Sequence, residues 1–210
     1  MYRWIFICLL LAVGCSKAKK TEPLLNQGTL VFEDNFNRDT LGGAWHDTGG
    51  RYKIVDGQLR AENGRNRPLW LERKLPRDAR VAFSARSESP DIDIKVELFG
   101  DGKSKAIKAA YKATSYVVIL GGWKNSRSII ARMDEHRDDR EVREEPKGIR
   151  GKTYRFDIIR KGSRFAWYLD GDHFLEMDDA SPLDGPGHEH FAFNNWSSEV
   201  FFDDLAIFEL

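Results

Sequence analysis

The chain predicts an all-β fold, a sandwich of two antiparallel sheets, and three features of the sequence predict it. From Thr29 onward apolar residues alternate with polar ones at period two, the spacing of a half-buried strand. Turn residues interrupt that alternation at short intervals, as in Asp56-Gly57, Lys161-Gly162-Ser163 and Asp170-Gly171-Asp172. Sustained 3.6-residue periodicity is confined to the first stretch of the chain. About a dozen short strands in one domain fit a β-sandwich or jelly roll.

The chain opens "MYRWIFICLLLAVGCSKAKKTEPLLNQG". Arg3 is a positive n-region, Trp4 to Val13 an apolar run, and Gly14 a small residue at its end. The run is too short to span a bilayer as a mature helix and reads as a secretory signal. "LAVGC" resembles the lipobox of bacterial lipoproteins, with Ala12 where Leu is commoner. The resemblance implies cleavage before Cys15, acylation of Cys15 (with palmitate among the chains) and membrane anchoring. The alternative is an ordinary signal in which Cys15 is incidental. Each buried CH2 contributes about 0.8 kcal/mol, so several acyl chains hold where one holds marginally. Residues 1–14 are then the leader, 15–28 a lipidated polar tether and 29–210 the sandwich. Ser16 after the cysteine resembles the outer-membrane sorting pattern, which implies the outer membrane of a Gram-negative bacterium.

Cys8 and Cys15 are the only cysteines, so the folded domain contains no thiol. That excludes a disulfide, a thiolate nucleophile and a Cys-ligated metal. Burial alone must stabilise an exported domain of this size. Lys and Arg total 33, as do Asp and Glu, and removing Arg3 with the leader leaves 32 against 33. This balance does not suggest a nucleic-acid partner.

Each later element follows from its own pattern. "YKIVDGQLRA" is a hairpin, with Asp56-Gly57 as a type I′ turn. "KTYRFDIIRKGSRFAWYLDGDHFLEM" reads as three strands. "ARVAFSAR", "DIDIKVELF", "SYVVILGGW", "RSIIARM", "HFAFNNW" and "VFFDDLAIFEL" are further strands. "MDEHRDDREVREEPKG", Met133 to Gly148, has almost nothing to bury and reads as a solvated loop or short exposed helix.

The opening "FEDNFNRDTLGGAW", the hairpin, the "YRFDIIRKGSRFAWYLDGDHF" meander and the ending "HFAFNNWSSEVFFDDLAIFEL" resemble the concanavalin A-like jelly-roll group. That group includes laminin-G-like domains and the 3-keto-disaccharide hydrolase family. The resemblance implies that the first and last strands pair, and that the role concerns carbohydrate. Fold alone does not settle activity, because the group also holds adhesive and structural members.

"SPDIDIKVELFG" places Asp91, Asp93, Lys95 and Glu97 on alternate positions. Two carboxyls about 5 Å apart suit a retaining glycosidase, and the row resembles the Glu-x-Asp-x-Glu strand of laminarinase-type hydrolases. It departs by an Asp at the first position and by Lys95 where a general acid is required. The favoured reading sets Ile92, Ile94, Val96 and Leu98 toward the core and the charged set toward water.

"GHEHFAFNNW" puts His188, His190, Ala192, Asn194 and Trp196 on one strand face, and "GGWKNSRS" adds Trp123 and Arg127 beside a turn. Amides, imidazoles and aromatic planes are what a sugar needs. The expected carbohydrate-binding residues are Trp123, Arg127, His190, Asn194 and Trp196. The expected function is a lipid-anchored, glycan-binding envelope protein. The alternatives are a hydrolase or lyase of the 3-keto-disaccharide kind, or a structural envelope protein. No catalytic set is assigned; Glu135, His188 and His190 are the only candidates. Glu33, Asp34, Asp203 and Asp204 are oxygen donors that would meet if the end strands pair, as a structural Ca2+ requires. No other cofactor is expected.

Overall fold

The computed structural model describes residues 24–108 and 111–210. The leader, Cys15 and most of the tether lie outside the described residues. Two antiparallel sheets face each other. The first runs β13 (Asp172–Asp178), β12 (Arg164–Leu169), β11 (Thr153–Lys161), β6 (Ala79–Ser87), β15 (Val200–Glu209), β4 (Gln58–Ala61) and β3 (Tyr52–Val55), and β1 (Thr29–Asp34) also pairs with β15. The second runs β10 (Arg140–Arg143), β9 (Arg127–Arg132), β8 (Tyr116–Gly121), β7 (Ile94–Gly100), β14 (His190–Asn194), β5 (Leu69–Leu71) and β2 (Trp45–Asp47).

The turns form where the sequence places them. Asp56 and Gly57 both take positive φ, 50° and 73°, between paired Val55 and Gln58. Asp170 and Gly171 do the same, 54° and 87°, between paired Leu169 and Asp172. These are the two left-handed residues that a type I′ hairpin requires. The charged segment Met133–Gly148 departs from the expected loop or helix. Its residues Arg140–Arg143 pair with β9 as an edge strand. Charge is tolerated there because an edge strand is bonded on one side only.

The inward faces interlock through aromatic rings. Phe193 of β14 lies 5.7 Å from Phe83 and 4.4 Å from Phe202, both on the opposite sheet. Phe36 and Trp45 close one end at 6.0 Å and 5.5 Å from Phe193. Trp70 and Trp167 are also fully buried, so they are packing residues.

The first and last strands do pair, with Glu33 opposite Ala206 and Asp34 opposite Leu205. Asp34, however, is already engaged. Its oxygens accept from Arg38 Nη1 and Nη2 at 2.5 and 2.7 Å, from Trp45 Nε1 at 2.8 Å and from the Phe36 amide at 2.9 Å. Burial by itself raises its pKa, but these donors outweigh it and hold the carboxyl below the ordinary value. The turn after β1 is thus fixed by protein donors. Among the described residues no group of three or more His, Cys, Asp or Glu side chains converges as metal ligands.

Candidate functional site

Within the row Asp91 to Glu97 only Asp91 faces water as expected. The row's apolar members Ile92, Ile94, Val96 and Leu98 join the core. Its charged members turn to the outer face of the second sheet, and that face is covered. Lys95 is 2 % exposed and Glu97 0 %. Two loops remote in sequence make the cover. Tyr111 descends from the loop between β7 and β8, and Asp134, Glu135 and His136 fold back from the segment between β9 and β10.

A cleft of about 590 Å3 remains open between these loops. Its floor is polar. Lys95 Nζ is 2.7 Å from Glu135 Oε2 and donates to Asn66 Oδ1 at 2.9 Å. Burial lowers the Lys95 pKa, but the nearby carboxylates of Glu135, Asp93 and Glu97 overcome this and raise it. Asp93 is pushed up to about 6, mainly by burial and also by Glu135, against the opposing pull of Lys95. Its Oδ2 is buried and has no hydrogen-bond partner. Buried polar atoms are nearly always paired, so this oxygen is an unmet acceptor at the floor of the cleft.

Glu97 lies beneath the floor. It accepts from Tyr111 at 2.8 and 2.9 Å, from Ser115 at 2.5 Å and from Asn194 at 2.6 Å. Burial still pushes its carboxyl up to about 7. Tyr111, which lines the cleft, has its hydroxyl pKa raised by burial and by the Glu97 carboxylate.

The walls are aromatic. Trp196 is 38 % exposed, with the Arg65 guanidinium 4.8 Å from its ring. Across the cleft Trp123 meets Arg140 at 5.3 Å, Arg127 at 5.7 Å and the edge of His136 at 5.8 Å. The rim holding these walls is conformationally strained. Trp123, Lys124 and Asn125 form a left-handed turn, with φ of 49°, 58° and 58°. Ile92 and Asp93 also take positive φ, 56° and 51°. Left-handed backbone costs an L-residue about 1–2 kcal/mol, and a β-branched residue adopts it rarely. Asn125 and Gly148 restrain the turn reciprocally, through Asn125 Nδ2 to Gly148 O at 2.8 Å and Gly148 N to Asn125 Oδ1 at 3.0 Å. A Cβ on Gly148 or Gly121 would come within 2.8 Å of Ile92, so both positions need glycine. Strain of this kind persists only where its surroundings fix it, and it gathers at binding sites.

The expected site residues separate in the structure. Trp123 and Trp196 both line the cleft, and Arg127 lies against Trp123. Asn194 lies under the floor on Glu97. His190 is outside the cleft, its Nδ1 2.8 Å from Leu71 O, and His188 Nδ1 is 2.7 Å from Thr114 O. Glu135 stands on Lys95 inside the cleft. Sequence reasoning missed Asn66, Asp93, Lys95 and Tyr111 as site residues. The signal for Asp93 and Lys95 was present in the alternating row; Asn66 and Tyr111 carried none.

No protein-family profile matches the chain, and no curated protein matches it in sequence. Solved structures do. The carbohydrate-binding module CBM66 of Bacillus subtilis superposes with a TM-score of 0.59 at 12% identity, over 81% of this chain and 97% of that one. The Emp47p carbohydrate recognition domain gives 0.60 at 11%, over 86% and 96%. The laminarinase of Flavobacterium sp. UMI-01 gives 0.58 at 9%, over 86% and 100%. The fold is a galectin-like, concanavalin A-like β-sandwich. At these identities the likeness speaks for architecture, which binding modules and glycan-cleaving enzymes share.

Proposed function

We propose that this sandwich binds a glycan in the cleft between Trp123 and Trp196, and that acylated Cys15 holds it at a membrane outside the cytoplasm. The observation that carries the binding reading is an open cleft with two indole walls and a floor of Asp93, Lys95 and Asn66. Indole planes suit the apolar face of a sugar ring, while carboxylate, ammonium and amide suit its hydroxyls. The similar structures named as carbohydrate-recognising support the same reading.

A glycan-array screen of the full-length chain in detergent tests it. Trp196→Ala is expected to weaken binding about tenfold or more, from loss of ring stacking worth about 1.5 kcal/mol. Its unfolding midpoint should stay within a few degrees, because Trp196 lies at the surface. Retention of no glycan, or unchanged binding by the variant, would sink the proposal and favour a structural role. A second reading, glycan cleavage, is favoured by Asp93: a carboxyl that keeps its proton to about pH 6 suits a general acid. Assaying reducing ends in the same screen separates the two.

The anchor has its own test. Metabolic labelling with a palmitate analogue should mark the wild-type chain, and Cys15→Ala should abolish the label and release the protein from the membrane fraction. An unlabelled wild-type chain would overturn the anchor and leave the glycan reading intact.

A further inference from the structure

We infer that Lys95 is a carboxylate seat, occupied in this structure by Glu135 as a tethered stand-in, and that the cleft takes a glycan bearing a carboxylate at this position. The inference rests on the glycan reading above and narrows it to acidic sugars.

The argument begins with burial. An ammonium that is 2 % exposed needs an anionic partner, because an unpaired buried charge costs several kcal/mol. Neighbouring strands could have supplied that partner permanently, and Glu97 on the same strand comes close. Yet its oxygens are taken by Tyr111, Ser115 and Asn194. Lys95 is matched instead by a carboxylate arriving from a surface loop. Glu135 sits between partly exposed Asp134 and exposed His136, Arg137, Asp138 and Asp139. Its side chain reaches inward, to 2.7 Å from Nζ. The structure therefore contains a worked example of what this ammonium binds: a carboxylate entering from the open side of the cleft.

Geometry leaves room for exchange. An ammonium has three donors, and the Asn66 bond at 2.9 Å holds the group in place whichever carboxylate is seated. The other Glu135 oxygen lies 3.6 Å from Nε2 of exposed His136, and residues 136–139 that follow face solvent, so a rotamer change toward His136 would free the seat. Lys95 and Lys124 line the cleft beside Asp91, Asp93 and Asp134, and Arg65, Arg127 and Arg140 stand against the two indoles, so cations are available at the seat and around the walls. The unpartnered Asp93 Oδ2 would accept a hydroxyl from the same sugar ring. A hydroxyl beside a carboxylate is the substitution pattern of a uronate.

The seat also implies self-competition. A ligand carboxylate must displace Glu135, which lowers apparent affinity by the fraction of molecules in which the seat is free. Removing the charge of Glu135 should therefore tighten binding, the reverse of what losing a ligand contact does.

The test titrates the full-length chain in detergent with tetragalacturonate and with neutral galactotetraose by calorimetry. The expected results are selective binding of tetragalacturonate, about tenfold tighter binding by Glu135→Gln, and loss of binding by Lys95→Met. Circular dichroism reports whether each variant is folded, and Glu135→Gln decides the matter if Lys95→Met does not fold. Equal or preferred binding of galactotetraose would overturn the carboxylate seat while sparing the glycan reading. Weaker tetragalacturonate binding by Glu135→Gln would overturn the stand-in role and make Glu135 a ligand contact. Failure to bind either sugar overturns the inference; the array screen then judges the glycan reading separately.

Discussion

Phe193→Ala will lower the unfolding free energy by about 4 kcal/mol, the usual loss for a buried phenylalanine whose space cannot fully collapse. Phe193 is fully buried and stands where the two sheets meet. Five rings surround it, from Phe202 at 4.4 Å and Phe191 at 4.9 Å to Phe36 at 6.0 Å. They come from the turn after β1, from β2, from β14 itself and from β6 and β15 of the opposite sheet, so the gap is walled on several sides and should persist. In a domain of this size the loss corresponds to a fall of roughly 8 to 16 °C in the unfolding midpoint. The effect should reach the cleft. The next residues along the chain hold its floor and rim: Asn194 donates to Glu97, the Asn195 carbonyl accepts from the Asn66 amide at 2.9 Å, and the Trp196 carbonyl accepts from the Arg65 amide at 2.9 Å. A denaturant titration of both proteins measures the loss. A change below about 1.5 kcal/mol would mean that the core closes around the gap.

Phe193 also shows what the sequence made legible. In "HFAFNNW" the phenylalanines alternate with smaller and polar residues, and the pleat sends the two sets to opposite faces whatever surrounds the strand. The hairpin turns were legible for the same local reason, since Asp-Gly supplies two positive φ angles without outside help. What lies over an outer face is a different matter. Asn194 was read as facing a ligand because it opposes the core, and it does oppose the core. It is nevertheless covered, because Tyr111 and the segment carrying Glu135 arrive from elsewhere in the chain. The same cover turns Lys95 and Glu97 from expected surface charges into a buried network. Alternation specifies a side of the sheet; burial on that side depends on loops whose path no period encodes. Trp123 and Trp196 were legible as candidates by residue type. That both line one cleft depends on a left-handed turn at Trp123–Asn125, which nothing but the preceding Gly121-Gly122 foreshadowed.

The buried network makes stability depend on pH, in the sense opposite to that of an ordinary paired carboxylate. Glu97 titrates near 7 in the folded protein, chiefly because it is buried, and its unperturbed value is 4.5. Between these values the folded chain holds a proton that the unfolded chain has released. Stability then falls as pH rises, because the unfolded state binds fewer protons. The group's stabilising effect is complete below about 4.5 and is lost by about 7. A displacement of that size amounts to on the order of 3 kcal/mol. Asp93, raised to about 6 from 3.8, adds a contribution of the same sign at lower pH. Asp34, Asp101 and Asp179 are lowered, so their opposite contributions fall below the carboxylate range in question. Glu97→Gln keeps the shape and removes the proton exchange. Its amide oxygen still accepts from Asn194, and the Ser115 and Tyr111 hydroxyls rotate to accept from the amide nitrogen. Denaturant unfolding at pH 5 and pH 7.5 should show the wild type losing most of that stability between the two, with the variant keeping only the smaller slope that Asp93 supplies up to about pH 6. A slope as steep in Glu97→Gln as in the wild type would assign the dependence to other groups. Because Tyr111 donates to Glu97 and also lines the cleft, the proton that sets this slope also determines whether the tyrosine hydroxyl faces a carboxylate or a neutral acid, and so how firmly one wall of the site is held.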